Sequence, residues 1–136
     1  MTKDDGAMTG EMDLKRLLAE MSPQLCGLDW GYATAPAVPF GVMPFATVAE
    51  DEGMTLIAPM ADLAKAGLAA QGPFARITLT IHSALQAVGL TAAVAGALAA
   101  EGISANVVAG FYHDHIFLPA SDAHRAMAAL RRLTDA

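Results

Sequence analysis

The sequence predicts an α+β fold of ferredoxin-like type, with antiparallel sheets and helices on one face. Three observations lead there. Arg76–Ile81 alternates Arg76, Thr78 and Thr80 with Ile77, Leu79 and Ile81, the period of a strand buried on one face. A helix-forming run follows from Val88 to about Glu101 and stops at Gly102, since glycine takes the left-handed geometry beyond a helix end at little cost. Two further apolar runs, Ile103–Phe111 and Ile116–Leu118, flank the polar His113-Asp114-His115 and read as a hairpin. With a last helical pattern behind them, the second half reads β-α-β-β-α.

In chain order, residues 1–12 are a polar lead-in and Asp13 is placed to cap a short helix. Leu14, Leu17, Leu18 and Met21 give that helix one apolar face, and Ser22-Pro23 ends it because proline excludes helical geometry from the residue before. Leu28–Thr34 reads as a strand with Trp30 and Tyr32 on one parity. The proline-rich stretch 35–44 is a loop. Phe45–Ala49 and Met54–Ala58 read as strands joined by the acidic turn Glu50-Asp51-Glu52-Gly53. Ala61–Ala66 allows two helical turns closed by Gly67. Gln71-Gly72-Pro73 marks the boundary between two units, 13–72 and 73–136. In the last helix Ser121 is the expected cap, with Asp122 in the first turn and Arg131 and Arg132 at the other end, each charge suiting the helix dipole. Ala123, Ala126, Met127, Leu130 and Leu133 form its apolar stripe. No residue-level repeat links the halves.

Composition excludes several roles. At 136 residues the chain fits one domain or two small fused units, and 54% hydrophobic residues place it far from disordered composition. A net charge of −6 without any basic run argues against nucleic acid. One cysteine, Cys26, forms no internal disulfide, so a reducing cytoplasm is expected. The polar N-terminus lacks the apolar core of a signal peptide. Ala84–Ala100, built from alanine with Gln86, Thr91 and two glycines, reads as a buried helix and not a membrane span.

Several stretches carry a resemblance: Ile77–Ser83, Val88-Gly89-Leu90-Thr91, Glu101-Gly102-Ile103-Ser104 and the hairpin Tyr112–Leu118. Through them the second half resembles an ACT domain, similar to the ACT units of aspartate kinases and of the animal cytosolic arginine sensor. Through LKRLLAEMSP and EDEGMTLI the first half resembles the N-terminal unit of small bacterial proteins made of two fused ACT-like units. The resemblance implies a tandem ACT fold and a regulatory, non-catalytic role, with a small-molecule effector that is a free amino acid. Two departures stand out. The usual ACT order ends in a fourth strand after the second helix, and here the chain stops at Ala136; either a strand of the first unit fills that place or the second sheet has three strands. No catalytic domain is attached, so a sensor of this kind acts through an unidentified protein partner.

In ACT domains the effector pocket lies at the strand-to-helix turn and the facing second strand. By that resemblance Ser83, Val88, Gly89, Leu90 and Thr91 hold the ligand carboxylate, Asn106, Val107 and Val108 offer edge groups, and Asp114 faces the cationic end. The physics agrees at one point: a helix start presents unpaired amides that suit a carboxylate. Ser83 as a simple cap and Gly89 as a simple turn explain the same residues. His113-Asp114-His115 is either a solvated hairpin turn or, with His82, the start of a metal site. Too few ligands lie nearby in sequence for zinc, and no metal or cofactor is expected. The helix Val88–Glu101 is apolar nearly all round. Leu90, Val94 and Leu98 face its own sheet, while Ala92, Ala95, Gly96 and Ala99 are expected to be buried between the two units, the alternative being a homodimer face. No phosphate-binding loop, nucleophile elbow or metalloprotease motif is present, and no enzyme activity is expected. The rivals to a sensor are a structural adaptor with a vestigial pocket and a metal-binding protein or metal-dependent hydrolase using His82, His113 and His115.

Overall fold

The computed structural model describes residues 14–80 and 87–135, and its organising strand is Gln71–Leu79. The elements are α1 (residues 14–20), β1 (Pro23–Leu25), β2 (Trp30–Ala35), β3 (Ala46–Glu50), β4 (Gly53–Pro59), α2 (Met60–Lys65), β5 (Gln71–Leu79), α3 (Ala87–Ala100), β6 (Asn106–Ala109), β7 (Asp114–Pro119) and α4 (Ala123–Asp135). The strands form one antiparallel sheet in the order β3-β4-β2-β5-β7-β6, with β1 also paired to β5.

Strand β5 joins the two halves of the chain. Its first residues pair with β2, Gln71 opposite Tyr32 and Phe74 opposite Trp30, with a bulge between. Its last residues pair with β1, from Ile77 opposite Leu25 to Leu79 opposite Pro23. Strand β7 occupies the other edge from Phe74 to Leu79. The second half therefore has the ferredoxin-like order β1-β5-β7-β6, its fourth strand supplied from the N-terminal part of the chain. Gln71-Gly72-Pro73, read as a break between halves, is the start of β5 itself.

The helix side of the sheet is a conventional core. Ala75, Ile77 and Leu79 of β5 and Ile116 and Leu118 of β7 meet Leu90, Val94 and Leu98 of α3 and Ala126, Met127 and Leu130 of α4. Met21, just after α1, is buried in the same cluster and Leu18 packs against it. A smaller cluster joins Ala33 and Ala35 to Leu56, Ala58 and Leu63, under α2. Small residues are needed on that side of β2 because α2 lies close: a side chain at Gly31 would overlap the Met60 sulfur.

Three local expectations are corrected. Helix α4 does not start at Ser121. A 3-10 turn, Ala120–Asp122, precedes it, with Pro119 in the capping position and no side-chain cap. Asp122 instead pairs with Arg125 at 2.9 Å. Second, α3 runs Ala87–Ala100 where Val88–Glu101 was expected, so the residues named for the strand-to-helix turn, Val88, Gly89, Leu90 and Thr91, all lie inside the helix. Third, Ala92, Ala95, Gly96 and Ala99 are exposed and not buried between the units. The reason is geometric: α2, the helix of the Trp30–Lys65 segment, has six residues and sits over β2 and β4, so among the described residues it does not reach that side of α3. Among the described residues no helix is long and apolar enough to cross a membrane.

Gly72 marks where β5 crosses closest to β2. Its φ is +146°, and a Cβ there would stand 2.7 Å from the Trp30 carbonyl oxygen. Backbone cannot retreat as a flexible side chain can, so Gly72→Ala is expected to destabilise by about 1–3 kcal/mol. An unchanged urea midpoint for this variant would contradict the close crossing.

Candidate functional site

Nine residues were expected to form one pocket, and the structure distributes those it describes over two faces of the sheet. Ser83 lies outside the described residues. Gly89 is in the first turn of α3 and faces Leu14 of α1; a Cβ on it would meet that side chain at 3.5 Å. Leu90 is buried in the core, Thr91 is half-buried, and Val88 lies one position before Gly89 in the same helix. Asp114 opens β7, opposite Leu79 on one side and Ala109 on the other. It has the parity of the core residues Ile116 and Leu118, so it shares the helix side of the sheet. Leu79 is the last residue of β5, which leads towards α3. Asp114 thus pairs with the end of β5 that precedes α3 in sequence, on the side of the sheet that α3 packs against.

Strand β6 forms an outer edge of the sheet and divides its three nominated residues. Val107 packs against the core, on the side of α3. Asn106 and Val108 have the other parity, opposite Phe117 and His115. The Asn106 amide donates to the Tyr32 hydroxyl, a bond that reaches from β6 to β2 across the hollow of the sheet. Burial raises the Tyr32 pKa, with the Asn106 hydrogen bond acting in the opposite direction. Beside this bond lies a cleft of ≈ 220 Å³, lined among others by Tyr32, Gln71, Phe74, Asn106 and Phe117.

The hollow face holds a group that sequence reasoning did not assemble. The sheet curls so far that Phe45, just before β3, reaches Phe117 at 5.5 Å and His115 at 4.8 Å between ring centroids. Trp30 packs edge-on against both Phe45 and Phe117, and Tyr32 against Phe74 and Phe117. Arg76 lies in this group, its guanidinium carbon 4.8 Å from the Trp30 ring centre and 4.5 Å from that of Phe45. Cation–π attraction of this kind contributes about 0.5–2 kcal/mol. The available signal was parity: Trp30 and Tyr32 on one side of β2, and Arg76 and Thr78 on the helix-free side of β5.

The polar hairpin is built around the same face. The turn is closed by the Gly110 amide donating to the His113 carbonyl, with Phe111 and Tyr112 exposed at its tip. His115 Nδ1 lies 2.9 Å from the Thr78 hydroxyl. Burial, then the nearby Arg76 and His113, push the His115 pKa below its usual range, and Asp114 pulls it back in part. His113 lies in the turn just before β7, near enough to His115 to act on its charge. Among the described residues no group of three or more His, Cys, Asp or Glu side chains is placed to hold a metal ion, and His82 lies outside them.

Comparison with known proteins follows this geometry. ACT domain models match residues 9–75 and 75–132, together covering most of the chain. A Vibrio cholerae protein of unknown function, described as a possible transport protein, is 44% identical, with a TM-score of 0.82 over 92% of this chain and 98% of that one. A protein from Agrobacterium tumefaciens is 16% identical, with a TM-score of 0.71 over 84% and 89% of the two chains. The ligand-free regulatory subunit of aspartate kinase from Thermus thermophilus shares the fold at 12% identity, with a TM-score of 0.66 over 82% and 95%. No curated protein matches. Two ACT models in succession, one sheet with a completed ferredoxin-like half, and the likeness to these structures lead to one conclusion: the chain belongs to the ACT domain family, as a tandem ACT protein.

Proposed function

We propose that this chain is a non-catalytic regulatory module that senses a free amino acid or similar zwitterion where β5 leads into α3. ACT domains are regulatory modules that often bind amino acids. The observation that supports the reading is that Asp114 pairs with Leu79, the last residue of β5 ahead of α3, on the side of the sheet that α3 packs against. The first turn of α3 contains no acidic side chain, so its amides and dipole remain suited to a ligand carboxylate. Asp114, on the same side, suits the cationic end. Ser83, Val88, Gly89, Leu90 and Thr91 belong to the carboxylate end in this reading, most of them through backbone. Val107 adds the open edge of β6, while Asn106 and Val108 serve the opposite face. The signal passes to a partner protein, for which the uncovered side of α3 is available, in a reducing cytoplasm suited to the lone Cys26.

A thermal-shift screen of the amino acids tests this. Ligand at about 100 times its dissociation constant adds about 2.7 kcal/mol of apparent stability. For a chain of this size the melting temperature should rise by roughly 5–10 °C. Asp114→Asn should weaken cationic amino acids more than neutral ones. Gly89→Val should remove the shift, and because it also crowds Leu14, Gly89→Ala separates lost packing from lost binding. If every amino acid at millimolar concentration leaves the melting curve unmoved, the chain is an adaptor with a vestigial pocket.

A further inference from the structure

Arg76, His115 and His113 form a row of basic side chains on the hollow face of the sheet. The β5–β7 ladder sets the spacing of the first two, with Arg76 opposite Phe117 and Thr78 opposite His115, and His113 lies in the hairpin just before β7, close enough to His115 to act on its charge. Asp114, the carboxylate between the histidines, has the opposite parity. Two nitrogens of these basic side chains are buried with no hydrogen-bond partner among the described residues: Arg76 Nε and His113 Nδ1. Neither ion pair found among the described residues involves Arg76. A half-buried guanidinium packed against two aromatic rings, with no carboxylate partner among the described residues, is an unusual arrangement, because buried charges are generally paired and buried donors generally bonded.

We propose that this row is an anion site, distinct from the zwitterion site at the start of α3, and that it takes the carboxylate of a small organic monoanion. Arg76 supplies the charge and a planar fork of donors that matches a carboxylate in two-pronged geometry. With Nδ1 engaged by Thr78, His115 has Nε2 left for a second contact, and this atom faces the Gly110 side of the hairpin. The rings of Trp30 and Phe45, which hold the guanidinium, offer apolar surface to the rest of the ligand. Charge number selects the class. Arg76 is the permanent cation of the row, and burial together with Arg76 itself disfavours protonation of His115. One carboxylate balances one guanidinium, whereas a dianion brings surplus charge into a half-buried place. The ammonium of an amino acid would be repelled by Arg76.

Trp30 is the chain's one tryptophan and Arg76 lies over its ring, so the site carries its own reporter. The experiment is a titration of the full-length protein with sodium benzoate at pH 7.5, excited at the red edge of tryptophan absorption, with chloride holding ionic strength constant. Inorganic phosphate and glycine are the comparison arms. A saturable change with benzoate is expected, with phosphate and glycine at least about tenfold weaker. Loss of a charge-assisted, two-pronged contact should weaken Arg76→Gln by about tenfold or more. If that variant does not melt cooperatively, Arg76→Lys decides, since it keeps the charge and loses the fork: its benzoate affinity should fall severalfold. Quenching that never saturates, or affinity equal to wild type in the decisive variant, overturns the site. Phosphate binding as tightly as benzoate overturns the monoanion assignment, and glycine doing so merges this site with amino-acid recognition. A failed thermal-shift screen leaves this titration untouched, because the two experiments use different ligands and different variants.

Discussion

A fragment spanning residues 73–136 is expected to show no cooperative thermal transition of its own. It contains β7, β6, α3, α4 and most of β5, yet it lacks β1 and α1. Without β1, the edge of β5 from Ile77 to Leu79 loses its partner, and an unpaired strand edge invites aggregation. Without the segment before β1, the core loses Met21, which is 2% exposed, and the packing of Leu18. Burial of one such side chain contributes about 1.5–3 kcal/mol. Against a total stability of about 5–15 kcal/mol, shared by a fragment already near the smallest size for one core, these losses decide the outcome. Differential scanning calorimetry of the fragment and of the full chain provides the comparison. A sharp fragment transition at the full chain's temperature would show that the N-terminal segment is dispensable to the second half.

Phe117→Ala is expected to be the most damaging single substitution on the hollow face. Phe117 is 2% exposed and touches Trp30, Tyr32 and Phe45, which come from the first half of the chain. Truncating a buried phenylalanine costs about 3–5 kcal/mol, through lost transfer energy and the cavity left behind. The melting temperature should then fall on the order of 10–20 °C. Both halves should fall together, with Trp30 fluorescence and far-ultraviolet circular dichroism giving coincident transitions. A loss below about 1 kcal/mol, the scale of a surface substitution, would mean that the aromatic group is decoration on a sheet held by its other face.

Much of the fold was legible because its signals are local. The alternation of Arg76–Ile81, the spacing of Leu90, Val94 and Leu98, and the stripe from Ala123 to Leu133 each announce an element and its buried side. What escaped depends on partners far away in sequence. Strand β1 is Pro23-Gln24-Leu25, too short to show any period, and only its pairing with β5 makes it a strand. Helix α3 is apolar all round, which announces a need for cover without naming what covers it. The curl that brings Phe45 to His115 comes from a bulge and from the twist accumulated across several strands, and no window of sequence contains it. The site divides in the same way. The place of Asp114 beside the end of β5 follows from strands that are legible in the sequence, because β5 and β7 carry clear alternation. The row of Arg76, His115 and His113 was not legible, since it requires the register of β5 against β7 and the crossing of Phe45 over both.

The pairing of β1 with β5 bears on how the chain comes into being. Pro23-Gln24-Leu25 leaves the ribosome before any residue of the strand that will receive it has been made. Until Leu79 has emerged it can complete no sheet, and until β7 arrives that sheet has no second edge. A chain growing from its N-terminus folds most readily when each new piece docks on an older one, and here an early piece waits for a late one. Contacts that close such long loops slow folding more than they weaken the folded state. The addition of β7 to β5 is therefore also the step that gives the much earlier β1 a sheet with both edges in place.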